Sequence, residues 1–291
     1  MAESSRHTAV FLDTSIQIAR RLREAAMCDR IKSRLQRYSL RVSSSIVLQE
    51  FKNRVLRDVA YLLSKLRQTN SYMATLNYVT NVLPKGQQRK MRVCVPLLHK
   101  ILPLASDAEL TERGMLYLRT LLVYGQSQFT RELDALVADT DCHWSKVPIV
   151  EKRKYASYDF GSKRCDASKG LCRVGETLKL KEARCKALLA FLDGLPANRL
   201  TEELTRGREA LRRVIGNNFE NIHGENLCLS VGDLLIALDS ENVSAIYTMN
   251  YRESQAFCDF LNQTLVVRPN NPEADDVEFD PAKRPWPPLS N

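Results

Sequence analysis

The sequence predicts an α/β protein built on a parallel sheet, and three observations support this. Residues 8–13 (TAVFLD) are a short apolar run ending in an acid, the pattern of a buried strand. Residues 244–248 (SAIYT) and 264–267 (TLVV) read the same way. Between them RESQAFCDFL (252–261) has helical spacing. Strand, helix, strand near both ends of the chain points to parallel strands joined by helical crossovers, with helices sandwiching the sheet.

The elements between follow in order. From Ser15 to about Arg37, Ile16, Ile18, Ala19, Leu22, Ala25 and Ala26 mark one helix side. LRV (40–42) is a second strand candidate, and the serines at 43–45 are placed to cap the helix carrying Ile46, Val47, Phe51, Val55, Leu56 and Val59. From about 70 to 138 the pattern stays helical, punctuated by Pro84 and Pro103. Residues 140–177 are rich in Lys, Arg, Ser, Gly and Cys with little periodicity, which predicts irregular structure. Helical spacing resumes at Leu178–Leu192 and Glu202–Val214, and again in VGDLLIALD (231–239).

This reading divides the chain into a discontinuous core (1–68 and 225–267) and a mostly helical insertion (69–224). The insertion carries a cysteine-rich basic module at 140–186. The proline-rich, acidic tail (268–291) is expected to be extended or disordered.

The bulk numbers narrow the function classes. Lys plus Arg is 43 against 34 Asp plus Glu, a net charge of +9, which favours polyanionic partners. No apolar run reaches the length of about 18 residues needed for a membrane span, so no membrane role is expected. MAESSRHTAVFLD lacks the basic and apolar regions of a signal peptide, which predicts a cytoplasmic, reducing setting. There the eight cysteines would be free or metal-bound rather than paired.

Four positions could form one site. Asp13 lies at the carboxyl end of the first strand, the edge where open parallel sheets bind ligands. Glu50 is a carboxylate inside an apolar run, costly to bury without a partner or a metal. Asp233 opens the 231–239 helix, and Asn250 follows the 244–248 strand. Hard oxygen ligands from separate elements suit Mg²⁺ or Mn²⁺. Each residue also has a structural reading. Asp13 could cap a helix, Glu50 could pair with Arg54, and Ser230-x-x-Asp233 and Asn250-x-x-Glu253 have capping-box spacing.

The surrounding strings resemble the PIN-domain nuclease family. VFLDTSIQI (10–18) is similar to its opening strand and Asp-Thr-Ser/Asn turn, and SSSIVLQEFKNRV (43–55) to its Glu-bearing helix. VGDLLIALDSENVSAIYTMN (231–250) resembles its third and fourth motifs, an Asp-opened helix and a strand ending in Thr-x-Asp. The match covers roughly residues 8–60 and 225–267, well under half the chain. The resemblance implies a parallel α/β/α sandwich and a metal-dependent endoribonuclease. Asp13, Glu50 and Asp233 would hold Mg or Mn and activate water for in-line attack on the phosphodiester. Thr248 matches the family threonine, but Asn250 stands where most members have a fourth Asp. That departure removes a negative charge from the cage. By the same analogy a toxin or defence role fits, with RNA favoured over DNA.

Two further features lie in the insertion. Cys142, Cys165, Cys172 and Cys185, with His143 competing against Cys142, could form a tetrahedral zinc site that substitutes for a core. The alternative is unliganded thiols, with Cys185 packed on its helix. In EKRKYASYDFGSKRC (151–165), Lys152, Arg153, Lys154, Lys163 and Arg164 interleave with Tyr155 and Tyr158. Such a segment could neutralise phosphates and stack bases, or be a solvated basic loop. The rivals to a nuclease are a non-catalytic nucleic-acid-binding module and an inactive PIN-like interaction scaffold. A regulatory protein partner or homo-oligomer fits either.

Overall fold

A computed structural model describes residues 9–82, 88–101, 106–131, 133–138, 142, 149–152, 157–160, 173–220, 222 and 230–284. Its centre is a six-stranded, mostly parallel sheet in the order β3-β2-β1-β6-β7-β8. The strands are β1 (Ala9–Leu12), β2 (Leu40–Ser44), β3 (Ala135–Ala138), β6 (Ala245–Thr248), β7 (Thr264–Val267) and β8 (Val277–Phe279). β4 (Val150–Lys152) and β5 (Ser157–Asp159) form a separate antiparallel pair. Only β8 runs antiparallel to its neighbour in the main sheet.

Side chains leave the central strands alternately to two apolar clusters, as the two-residue strand period requires. Val10, Leu12, Ala245, Tyr247 and Val266 face a core completed by α1 (Thr14–Leu22) and α2 (Ala25–Leu35). Phe11, Val42, Ile246, Leu265 and Val267 face the larger core. That side is covered by α3 (Ser45–Phe51), α4 (Arg57–Thr69), α6 (Gln88–His99), α7 (Asp107–Arg131), α11 (Gly232–Asp239) and α12 (Tyr251–Leu261). The remaining helices are α5 (Tyr72–Asn77), α8 (Val174–Leu180), α9 (Glu182–Asp193) and α10 (Glu202–Gly216). Helices on both faces explain why these strands are apolar throughout rather than alternating. No helix among the described residues is long and apolar enough to cross a membrane.

Several expectations change. The helix expected from 15 to 37 breaks at Arg23, which is extended (ψ 170°). Residues 135–138, read as the end of a helical stretch inside the insertion, form β3 and pair in parallel with β2. Four residues are too few for periodicity to separate a buried strand from a helix turn. The insertion is mostly helical, yet its apolar faces join the same core as the sheet: Leu118, Leu122, Leu188 and Leu211 share a cluster with Phe11 and Ile246. Within the irregular 140–177 stretch lies the β4–β5 pair.

Over 268–284 the tail, expected to be extended or disordered, carries the extended strand β8 and a short turn at Pro281–Lys283. Arg268 is buried, and its guanidinium meets Asp276 at 3.1 Å and the carbonyls of Asn271 and Pro272. Tyr247 donates its hydroxyl to Asp276, and Arg34 pairs with Glu278. Polar composition suggested solvent, whereas these polar groups bind one another against the sheet.

Candidate functional site

The sheet has one place where strand order reverses direction. From β1 the chain steps outward to β2, whereas from β6 it steps the opposite way to β7, and β1 and β6 lie side by side in parallel. Their carboxyl ends therefore meet at the topological switch point, the place where open α/β sheets bind ligands.

Asp13 stands at that edge. Its backbone N–H donates to Tyr247 O of β6, and its side chain caps α1 by accepting from Ser15 N. The capping reading is therefore correct, but it accounts for one oxygen only. Oδ2 accepts from Ser15 Oγ at 2.7 Å and Thr248 Oγ1 at 2.8 Å. Each of these hydroxyls also accepts a backbone N–H beyond β6: Met249 N to Ser15 and Asn250 N to Thr248, both at 2.9 Å. With its acceptor role filled this way, each hydroxyl directs its proton at Asp13. The network fixes Oδ2 and, among the described residues, leaves Oδ1 without a hydrogen bond.

Glu50 is carried by α3, whose first turn Ser44 caps by accepting from Val47 N at 3.3 Å. One Glu50 oxygen accepts from Thr14 Oγ1 at 2.6 Å. The other lies 3.5 Å from Arg54 Nη2 and 3.9 Å from where a Cβ on Gly232 would sit. Glu50 thus touches both the Asp13 turn and the start of α11. Burial raises its pKa most, and Asp233 and Asp13 add to that, against Arg54 and the Thr14 bond. After Glu50 the helix widens into a π segment (Lys52–Leu56), a feature that recurs at functional sites.

Asp233 lies in the first turn of α11, with Val231 rather than Ser230 at the cap and no side-chain cap hydrogen bond. It presents surface to solvent, while protein fills most of the volume around its carboxylate. That burial, then the Asp13 charge, pushes its pKa up to about 6. Asn250 is exposed and does not cap α12 with its side chain.

A fifth residue, missed in the sequence, belongs to this group. Glu253, in the first turn of α12, keeps Oε2 buried without a partner. Burial raises its pKa most, and Glu203 and Asp13 add to that, against hydrogen bonds from its own backbone and from the Asn250 side chain. The signal was its spacing of three from Asn250, which the capping reading absorbed.

The switch point therefore gathers Asp13, Glu50, Asp233 and Glu253 as mutually repelling carboxylates. Among the described residues, Asp13 Oδ1 and Glu253 Oε2 accept no hydrogen bond, and the Asp233 carboxylate has none at its cap. Hard oxygen donors short of positive charge suit Mg²⁺ or Mn²⁺. Among the described residues, however, no three His, Cys, Asp or Glu side chains stand as a closed metal cage.

No family model, curated protein or solved structure matches this chain. The site's meaning therefore rests on its own geometry.

The insertion's candidates are only partly placed. Cys185 is fully buried on the core side of α9, its thiol facing Leu178 O at 3.8 Å, and burial pushes its pKa up to about 11. Cys142 is buried near Lys52, while Cys165 and Cys172 lie outside the described residues. Lys152 pairs with Asp159 at 2.8 Å across β4–β5. Tyr158 is half-buried under Arg67 and donates to Glu151. Arg153, Lys154, Tyr155, Lys163 and Arg164 lie outside the described residues.

Proposed function

We propose that the chain is a metal-dependent nuclease of PIN type acting on RNA, with the carboxylate cluster at the β1/β6 switch point as its centre. The observation that carries this reading is the convergence of Asp13, Glu50 and Asp233 from three separate elements, with the Ser15 and Thr248 hydroxyls orienting Asp13. Asp13, Glu50, Asp233 and Glu253 would hold Mg²⁺ or Mn²⁺. Such an ion, once bound, supplies a nucleophile at neutral pH and neutralises charge on the phosphate.

The residues themselves do the positioning. Thr14 holds one Glu50 oxygen, and Ser15 and Thr248 hold one Asp13 oxygen. The second Asp13 oxygen is left for the ion, and the second Glu50 oxygen is held only by the long Arg54 contact. Glu253 restores the charge that Asn250 lacks. Closing the cage requires side-chain rotation, for which exposed Asp233 has room.

Labelled RNA and DNA incubated with Mg²⁺ or Mn²⁺ test the reading. RNA cleavage that EDTA, Asp13→Asn and Asp233→Asn each abolish is expected. Binding without cleavage in either metal would instead indicate a non-catalytic nucleic-acid-binding module.

A further inference from the structure

An anionic phosphodiester entering this site meets four carboxylates, and one divalent ion offsets only part of that charge. Among the described residues, the Arg54 guanidinium is placed beside Glu50 to supply more. Arg54 lies one helical turn beyond Glu50, is 52% exposed, and reaches Glu50 Oε1 only at 3.5 Å. It makes no other ion pair or hydrogen bond among the described residues. Arg21 lies between Phe51 and Phe129 and bonds Gln17, Arg206 pairs with Glu202 and Glu203, and Arg252 is exposed beside Glu253 on α12. Arg54 is also the cation that acts on both Glu50 and Asp233.

We propose that Arg54 is a counter-ion that changes partner: it attends Glu50 in the metal-free protein and engages a non-bridging phosphate oxygen of the substrate once metal takes over the carboxylates. This inference rests on the nuclease reading above. The long, single contact leaves the guanidinium free to leave Glu50, and its planar fork suits phosphate oxygens. Arg54 therefore competes with metal and assists substrate, so removing it moves the two affinities in opposite directions. A residue that merely shaped the site would move them together.

The test compares wild type, Arg54→Gln and Arg54→Lys in two titrations. Mn²⁺ alone is followed by electron paramagnetic resonance, and a labelled single-stranded RNA with Ca²⁺ in place of Mg²⁺ by anisotropy. Arg54→Gln is expected to bind Mn²⁺ about threefold more tightly, the scale of a lost, partly exposed ion pair. It should bind RNA about tenfold more weakly, the scale of a lost charge-assisted hydrogen bond. Arg54→Lys, which keeps the charge, should stay near wild type for Mn²⁺ and recover part of the RNA affinity. Arg54→Gln weakening both ligands, or leaving RNA affinity unchanged, would overturn the inference while leaving the metal site standing. A wild-type protein that binds no Mn²⁺ would remove the nuclease reading and this inference together.

Discussion

Asp13 shows how one carboxylate serves two purposes. Its Oδ2 is a structural oxygen, capping α1 and receiving two hydroxyl protons, while Oδ1 has no hydrogen bond among the described residues and stays available. The orienting hydroxyls should therefore matter almost as much as the ligand. Thr248→Val keeps shape and burial but removes one proton from Oδ2. It is expected to lower Mn²⁺ affinity by roughly tenfold, the usual cost of losing such a supporting bond, as isothermal titration calorimetry would show. Asp13 and Asp233 were legible in sequence at a strand end and a helix start, and Glu50 as a carboxylate inside an apolar run. Glu253 was not, since one turn of capping-box spacing accounts equally well for its position. Only three-dimensional placement shows that its Oε2 is buried and unbonded.

At the scale of elements, the site depends on how closely helices approach. Gly207 on α10 lies against α11: a Cβ there would come within 3.3 Å of Ser230 O and 3.4 Å of Leu234. Gly207→Val should push α11 away, costing about 1–3 kcal/mol. Metal affinity should fall although no ligand is changed, which thermal melts and Mn²⁺ titration together would reveal. At the other end of α11, Asp239 is buried beside Lys181 at 3.5 Å, and burial raises its pKa to about 6, from an ordinary 3.8. The folded protein thus binds the proton more tightly than the unfolded chain does. Stability contributed by that proton is complete below about pH 4 and is lost as pH rises through about 6. Asp239→Asn should therefore raise the melting temperature above pH 6 and change it little below pH 4, measured across a pH series. The helices and strands bordering the site were legible from periodicity. β3 and β8 were not, because one is too short to show a period and the other lies in a polar, proline-rich stretch.

At the scale of the molecule, the chain closes its sheet with residues that composition assigned to a loose tail. β8 is held by the buried Arg268–Asp276 pair and the Tyr247 hydroxyl, on the far side of β7 from the site. Arg268→Ala leaves Asp276 buried without its cation. It is expected to cost about 3–5 kcal/mol, read by urea denaturation, and to leave Mn²⁺ affinity unchanged in the protein that stays folded. The larger fold depends on the same kind of long-range closure. β1 and β6 meet across an intervening stretch that supplies β3 and most of the helical core. Sequence showed the two ends of the sheet as matching halves. It could not show that the stretch between them shares their core, because helix periodicity reveals which face is buried but not what it is buried against.

The central claim is that a divalent ion sits among carboxylates at the β1/β6 switch point. Anomalous scattering from crystals soaked in Mn²⁺ tests it most directly. A peak is expected within about 2–2.6 Å of oxygens from Asp13, Glu50 and Asp233, absent in Asp13→Asn. Wild-type crystals that show no peak there, at a Mn²⁺ concentration that supports any cleavage, would contradict it.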